Sequence, residues 1–548
     1  MMNIVRTVVS TAWIVLSLAI GLDATPTLHC GAALGTQFNL EPAANAVPQQ
    51  LEAVDFIPNG VALNEDLVVG GAFDSRGVTF AAANATTPHW DASVGGYYVR
   101  RSAAAGCAPQ FEGGLPVIEA GGNGFTSNGG VAVAADPDPV RSAFFVADLR
   151  FSTADSGLSA IGLFRASSAT LLNPTLCPNG THTAVQAKSC WTKTPPAVID
   201  PIPSGGDFYA LDYPSIAVDE RANGSGTGSG DVYVAFEGGN GQGGVVVNLV
   251  SCSNSLSCSA PVIISAKGEN VAFNGTEDAY VQVRPDGKIT VTYLDQTNSN
   301  ETSPVEIIKF VMCQPKGAPT APVCSAPAVV AKETQTISTS DLNQALSSEN
   351  FFAFTNVRHA HRLEADGKTV TTFVVWDRCG QYFTFIRNPN SNQPALCLNA
   401  DVIMSTSTNG GKTWSATTGV NTGPGHQFFP SISTDDSTGT VNIVYYDTEQ
   451  DPLRKRMVVT LNQIARGTQE VGAPILLTAT PIPWDADPNQ TALPVDDFDF
   501  HLGIKARGMG TPGFSRVYVS FTSTADRPGV YKGQSLPEQN NNLQKLLY

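Results

Sequence analysis

Two histidines two residues apart, His359 and His361, precede an apolar run, so in a strand both rings face one way. His426 and His501 hold similar places in later segments. Imidazoles gathered from several strands could ligate a metal. Carboxylates recur as well. Asp148, Glu237, Asp295, Asp377 and Asp447 each close an apolar run, and Arg150 and Arg378 follow two of them closely. Ahead of other runs stand Asp212 and Tyr213, Glu277, Asp278 and Tyr280, Arg358, Gln427, and Asp497 and Asp499. A ring of such groups could hold a cation such as calcium, or supply acid and base to a glycoside. The plainer reading is that each acid caps a strand end or pairs with a nearby Arg. Recurrence favours that reading, because a unique active site needs no copies. For the histidines the plainer reading is coincidence among seven in the chain. No phosphate loop, dinucleotide fingerprint or zincin helix occurs.

The elements that must position these residues are short strands in a repeat. The clearest copy runs Tyr213-Pro214-Ser215-Ile216-Ala217-Val218-Asp219, then a Gly-rich turn, then Asp231 to Glu237. A second runs Phe429-Pro430-Ser431-Ile432-Ser433-Thr434-Asp435 and continues from Val441 to Asp447. Weaker copies begin at Val69, Val131, Val281, His361 and His501. Asp286-Gly287 and Asp366-Gly367 supply hairpin turns, since Gly accepts positive φ. The expected fold is therefore all-β: a seven-bladed β-propeller of four-stranded antiparallel sheets, with six blades as the alternative. Radial packing buries both faces of each sheet. Polar strand ends would gather at the channel mouth where the innermost strands begin. A short helix is expected from Ser340 to Leu346.

Hydrophobic residues make up 42% and charged ones 15%, which excludes a disordered chain. The net charge of −16, with no basic run, excludes nucleic acid as a partner. Residues 1–24 read as a signal peptide, with Arg6 ahead of the apolar stretch Val8 to Leu22 and Ala24 before cleavage. No membrane span remains after cleavage, and the product is secreted, periplasmic or extracellular. Residues 25–60 would form an N-terminal extension, 61–533 the propeller and 534–548 a polar tail. The ten cysteines agree with export. Connectivity cannot be deduced from spacing. Sequential pairing is the economical choice: Cys177–Cys190, Cys252–Cys258, Cys313–Cys324 and Cys379–Cys397, leaving Cys30–Cys107.

The segment Ser407-Thr408-Asn409-Gly410-Gly411-Lys412-Thr413-Trp414 resembles the Asp-box, or BNR repeat, of sialidase-like propellers, with Asn409 in place of Asp. Ser407, Asn409, Gly411, Thr413 and Trp414 match that motif. The resemblance implies a structural hairpin outside the active site. It also implies, for active members, an arginine clamp, a Tyr–Glu pair and an Asp. The tripeptide Arg-Ile-Pro that carries the first arginine is absent. The expected function is a monomeric exported propeller that binds a glycan or protein on its top face. The alternative is an exo-glycosidase acting on acidic sugars. Catalytic residues are unassigned, and no cofactor is expected beyond a bound cation.

Overall fold

The computed structural model describes residues 27–29, 35–36, 49–58, 66–74, 94–101, 110–120, 123–127, 130–152, 158–182, 185–193, 198–201, 211–239, 245–266, 279–295, 297, 305–334, 344–346, 352–353, 355–383, 396–454, 456–478, 481–483, 502–508, 515–523, 528–531, 534–537 and 540–547. The signal segment lies outside these residues.

The chain is an all-β propeller. Its inner strands are Gln49–Ile57, Ala132–Asp136, Asp212–Val218, Tyr280–Val283, Val357–Leu363, Gln427–Thr434 and Leu502–Gly508. Each touches the next, and the last touches the first, so the strands ring a central cavity. Every neighbouring pair of sheets encloses its own apolar cluster. Phe145 and Ile161 pack with Ile216 and Val234. Val402 and Met404 pack with Ile443 and Tyr445. Phe56 and Val68 meet Tyr518 where the ring closes. Each such side chain contributes about 1.5–3 kcal/mol by leaving water. The long runs of β-branched and aromatic residues arise because both faces of every sheet are covered.

The two clearest repeat copies share a bulge. The ladder register shifts between Asp212 and Ser215 in one sheet and between Phe428 and Ser431 in another. Pro214 and Pro430 lie in those gaps. Proline has no N–H to give the ladder, so the bulge falls there.

The expectation of seven like blades of four antiparallel strands is corrected. Six sheets follow one another along the chain, and the ring is closed by a composite sheet drawn from both ends. In that sheet Leu502–Gly508 pairs with Ser515–Ser523, which pairs with Asn540–Leu547, which pairs with Thr27–His29. Strand numbers run from four to seven, and a two-stranded hairpin stands apart. Among the described residues two pairings are parallel, Gly180–His182 on Phe111–Gly114 and Gln344–Leu346 on Leu396–Ser407. Inserts between blades add these strands to open edges, which periodicity within a blade cannot reveal. The first repeat copy is also misplaced. Val69 lies in a second strand, Leu67–Asp74, and the inner strand is Gln49–Ile57, inside the supposed extension. The supposed tail holds strands Gln534–Pro537 and Asn540–Leu547. Gln344–Leu346, expected at the end of a helix, is a strand. The described α-helix is Ser168–Leu172, capped by Ser167, whose hydroxyl accepts the Thr170 N–H at 3.0 Å.

The Asp-box segment is a closed hairpin. Ser407 Oγ accepts the Gly411 N–H at 2.9 Å, and Asn409 Oδ1 accepts the Thr413 N–H at 3.0 Å. Asn409 Nδ2 donates to Thr413 Oγ1 at 2.7 Å, a bond that an Asp could not donate. Trp414 packs edge-on against Phe310 of the preceding sheet, with centroids 5.2 Å apart. Disulfides join Cys177 to Cys190, Cys252 to Cys258 and Cys313 to Cys324. Cys379 is also disulfide-bonded. Cys30 and Cys107 lie outside the described residues.

Candidate functional site

The acids expected at the mouth are mostly engaged in holding strand ends. Asp148 pairs with fully buried Arg150 at 2.7 Å. Asp295 accepts the Thr297 N–H at 3.0 Å and lies 3.2 Å from Lys309 Nζ. Asp377 accepts the Asn356 N–H at 3.0 Å, and burial raises its pKa well above the usual carboxylate range. Asp447 accepts the Glu449 N–H at 2.8 Å and Gln427 Nε2 at 3.1 Å, and burial raises its pKa too. Glu237 is buried. Arg378 reaches Glu333 at 3.5 Å.

The histidines are buried between sheets. A closed network holds His359 and His361. Thr290 Oγ1 lies 2.8 Å from His359 Nε2 and 2.7 Å from His361 Nε2. Thr292 Oγ1 meets His359 Nδ1 at 2.9 Å, and Thr372 Oγ1 meets His361 Nδ1 at 3.0 Å. Every bond is satisfied if Thr290 donates to the Gln282 carbonyl, 3.2 Å away, and accepts from both rings. Burial holds both imidazoles neutral, His359 down to about 3 and His361 well below its usual value. His426 is also fully buried and held down to about 3, and its Nδ1 accepts the Ala400 N–H at 3.3 Å. Among the described residues no group of three or more His, Cys, Asp and Glu is arranged to hold a metal ion. Asp278, Asp499 and His501 lie outside the described residues. Asp212 and Tyr213 open the inner strand Asp212–Val218.

The ionisable chemistry gathers inside the ring instead. A cavity of about 740 Å³ is lined by all the inner strands. Tyr280, Arg358 and His361, all expected at the mouth, line it, with the Arg358 guanidinium 4.9 Å above the Tyr280 ring. The other groups were not anticipated: Asp55, Glu220, Asp436, Lys505 and Arg507. They come from the ends of the inner strands opposite the expected mouth. Lys505 and Arg507 alternate on Leu502–Gly508, so they share a face. Lys505 Nζ lies 2.8 Å from Glu220 Oε1 and 3.6 Å from Asp55 Oδ2. Arg507 lies 2.8 Å from Asp55 Oδ1 and pairs with Glu220 Oε2. Each cation thus touches both carboxylates.

Glu220 and Asp436 are each the second acid of a doublet that follows an inner strand. In both doublets the first acid serves its own turn. Asp219 pairs with Arg221 at 2.6 Å, and Asp435 accepts the Ser437 N–H at 2.7 Å. The second acid is left facing the cavity. The doublets stand in the two clearest repeat copies, so they were the signal available in the sequence.

The two cavity-facing acids are driven in opposite directions. Burial works to raise Glu220, but Arg507 and Lys505 outweigh it and hold the carboxyl at about 2. The surrounding walls push the Asp436 carboxyl up to about 6, helped by the charge of Glu220 and opposed by Lys505 and Arg507. Asp436 nonetheless presents an exposed side chain to the cavity. An open clamp of three arginines is not seen among the described residues. Arg221, Arg284, Arg358 and Arg507 line the cavity, but Asp219, Asp286 and the Asp55–Glu220 pair engage Arg221, Arg284 and Arg507, and Arg358 lies over Tyr280.

No family model matches the chain, and no curated protein does. Solved structures show distant likeness in fold. An ulvan lyase, a polysaccharide lyase bound to -[GlcA(1-4)Rha3S]-, is 10% identical with a TM-score of 0.42, covering 91% of this chain and 94% of its own. A protein of unknown function from Dyadobacter fermentans is 11% identical with a TM-score of 0.38, covering 79% and 96%. The Aleuria aurantia lectin, a six-bladed propeller with a fucose recognition mode, is 10% identical with a TM-score of 0.35, covering 80% and 98%. The class that the sheets and their ring define is an all-β propeller, and the likeness to these structures is one of fold alone.

Proposed function

We propose that this chain is an exported, carbohydrate-active propeller that hydrolyses a glycosidic bond of an acidic saccharide in the central cavity. One observation carries the reading: Asp436 and Glu220 line the same cavity, the first with its carboxyl pushed up by the surrounding walls and the second with its carboxyl held down by Lys505 and Arg507. A carboxyl near pKa 6 keeps a proton to give, while its neighbour stays ionised. Environments that push two carboxyls apart in this way are how acid and base roles are divided. In the proposed step Asp436 gives its proton to the glycosidic oxygen as the bond to the anomeric carbon breaks. Water attacks that carbon, and its proton passes to Glu220. The products are the released alcohol and the free sugar. Arg358 and the face of Tyr280 offer a polar and an aromatic surface to the ring. The disulfides support export to an oxidising compartment.

The test is a panel of nitrophenyl glycosides, acidic and neutral, assayed with the wild type, Asp436→Asn and Glu220→Gln. Turnover of an acidic member, lowered about 10²–10⁴-fold in either variant, is expected. No turnover on any member overturns hydrolysis. Saturable sugar binding in its absence would replace hydrolysis with capture.

A further inference from the structure

Glu220 is bound to the cavity quite differently from Asp55. Asp55 is fixed by backbone: its oxygens accept the Phe56 N–H at 2.7 Å and the Ala135 N–H at 2.8 Å, and its side chain is 4% exposed. Glu220 follows its strand into a turn, and its side chain is 27% exposed. Its hydrogen bonds among the described residues run to Lys505 and Arg507. Asp55 alone would leave two cations sharing one carboxylate, and an uncompensated charge in such a site is destabilising. An internal carboxylate must therefore cover them when the cavity holds no anion.

We propose that Glu220 is a built-in stand-in for the substrate's own carboxylate, and that an acidic sugar takes its place on Lys505 and Arg507. This rests on the reading of the cavity as the saccharide site. The exchange trades one carboxylate for another, so the cations lose no pairing, and Arg507 offers a planar fork to the incoming group. Asp55 stays in place. Glu220, released, recovers the basicity that the two cations suppress and becomes able to take a proton from water. A neutral sugar leaves Glu220 locked. Selection for acidic substrates then appears in turnover as well as in binding.

Calorimetric titration with glucuronate and with glucose at pH 5 tests this. Asp436 is protonated there, so Asp436→Asn alters a cavity carboxyl without altering its charge and controls for the substitution itself. Glu220→Gln should bind glucuronate about tenfold more tightly than the wild type, because the cations no longer lose a charged partner on exchange. Glucose affinity should be unchanged, and Asp436→Asn should leave both near wild type. Lys505→Gln should weaken glucuronate binding by about tenfold. Glu220→Gln binding glucuronate no tighter than wild type overturns the proposal, as does an equal gain in Asp436→Asn. A flat glycosidase panel beside a confirmed exchange would overturn hydrolysis alone. Turnover beside a failed exchange would overturn this inference alone.

Discussion

Lys505 Nζ lies 2.8 Å from Glu220 Oε1, joining the composite closing sheet to a strand end 285 residues earlier in the chain. The contact spans the cavity between sheets that are not neighbours in the ring. It sets the acid behaviour of the fold. Glu220 has its carboxyl held at about 2, below its ordinary value of 4.5. A depressed folded pKa gives stability that is present above the unfolded value and is lost as pH falls through the folded one. Melting temperature should therefore fall between about pH 4.5 and 2, and Glu220→Gln should flatten that slope. A slope unchanged in the variant would sink the assignment.

Asp436 carries the opposite sign. Its carboxyl is raised from 3.8 to about 6. The folded chain binds a proton there that the unfolded chain releases, so this contribution is lost as pH rises from about 4 through 6. As a general acid Asp436 must also be protonated to act. The plot of kcat/KM against pH should fall above about 6, and Asp436→Asn should remove that limb together with most of the activity. A limb that persists in the variant would assign the acid elsewhere.

Thr290 holds two neutral imidazoles at once. Thr290→Val would leave two buried ring nitrogens without their partner, a loss of about 1–3 kcal/mol for each unsatisfied group. Urea denaturation should report a lower midpoint. Proton NMR should show that His359, His361 and His426 do not titrate between pH 5 and 8, since burial holds two of them at about 3 and His361 well below its usual value. Their neutral state favours the fold down to the unfolded histidine value, and that stability declines as pH falls below about 6.5.

Gly411 has φ +80°, and a Cβ there would stand 2.4 Å from the Phe310 ring. Gly411→Ala should therefore lower stability by about 1–3 kcal/mol through strain and overpacking together. Asn409→Asp keeps the acceptor for the Thr413 N–H, loses only the Nδ2 donation, and should cost much less. Thermal melts of the two variants compare them directly. Equal losses would mean that the hairpin's hydrogen bonds, not its seat on Phe310, hold the segment.

Much that is local was legible in the residues alone. The runs Tyr213 to Val218 and Phe429 to Thr434 read as inner strands, and Ser407 to Trp414 as a hairpin, because period and turn chemistry act over a few residues. Strand pairing within a blade follows from the same short-range signals. What joins sheet to sheet did not follow. Gln49–Ile57 is interrupted by Glu52 and Asp55, whereas Leu67–Asp74 is an unbroken run without a charge until Asp74, so the inner edge of the first blade was misassigned. His359 and His361 show the right period for a shared face, but only the packed neighbour reveals that this face meets Thr290 and Thr292, with His361 also at the cavity wall. The meeting of Asp55, Glu220, Lys505 and Arg507 depends on how the ring closes. Ring closure is set by the summed packing of every sheet on its neighbours, and no stretch of sequence encodes that sum by itself.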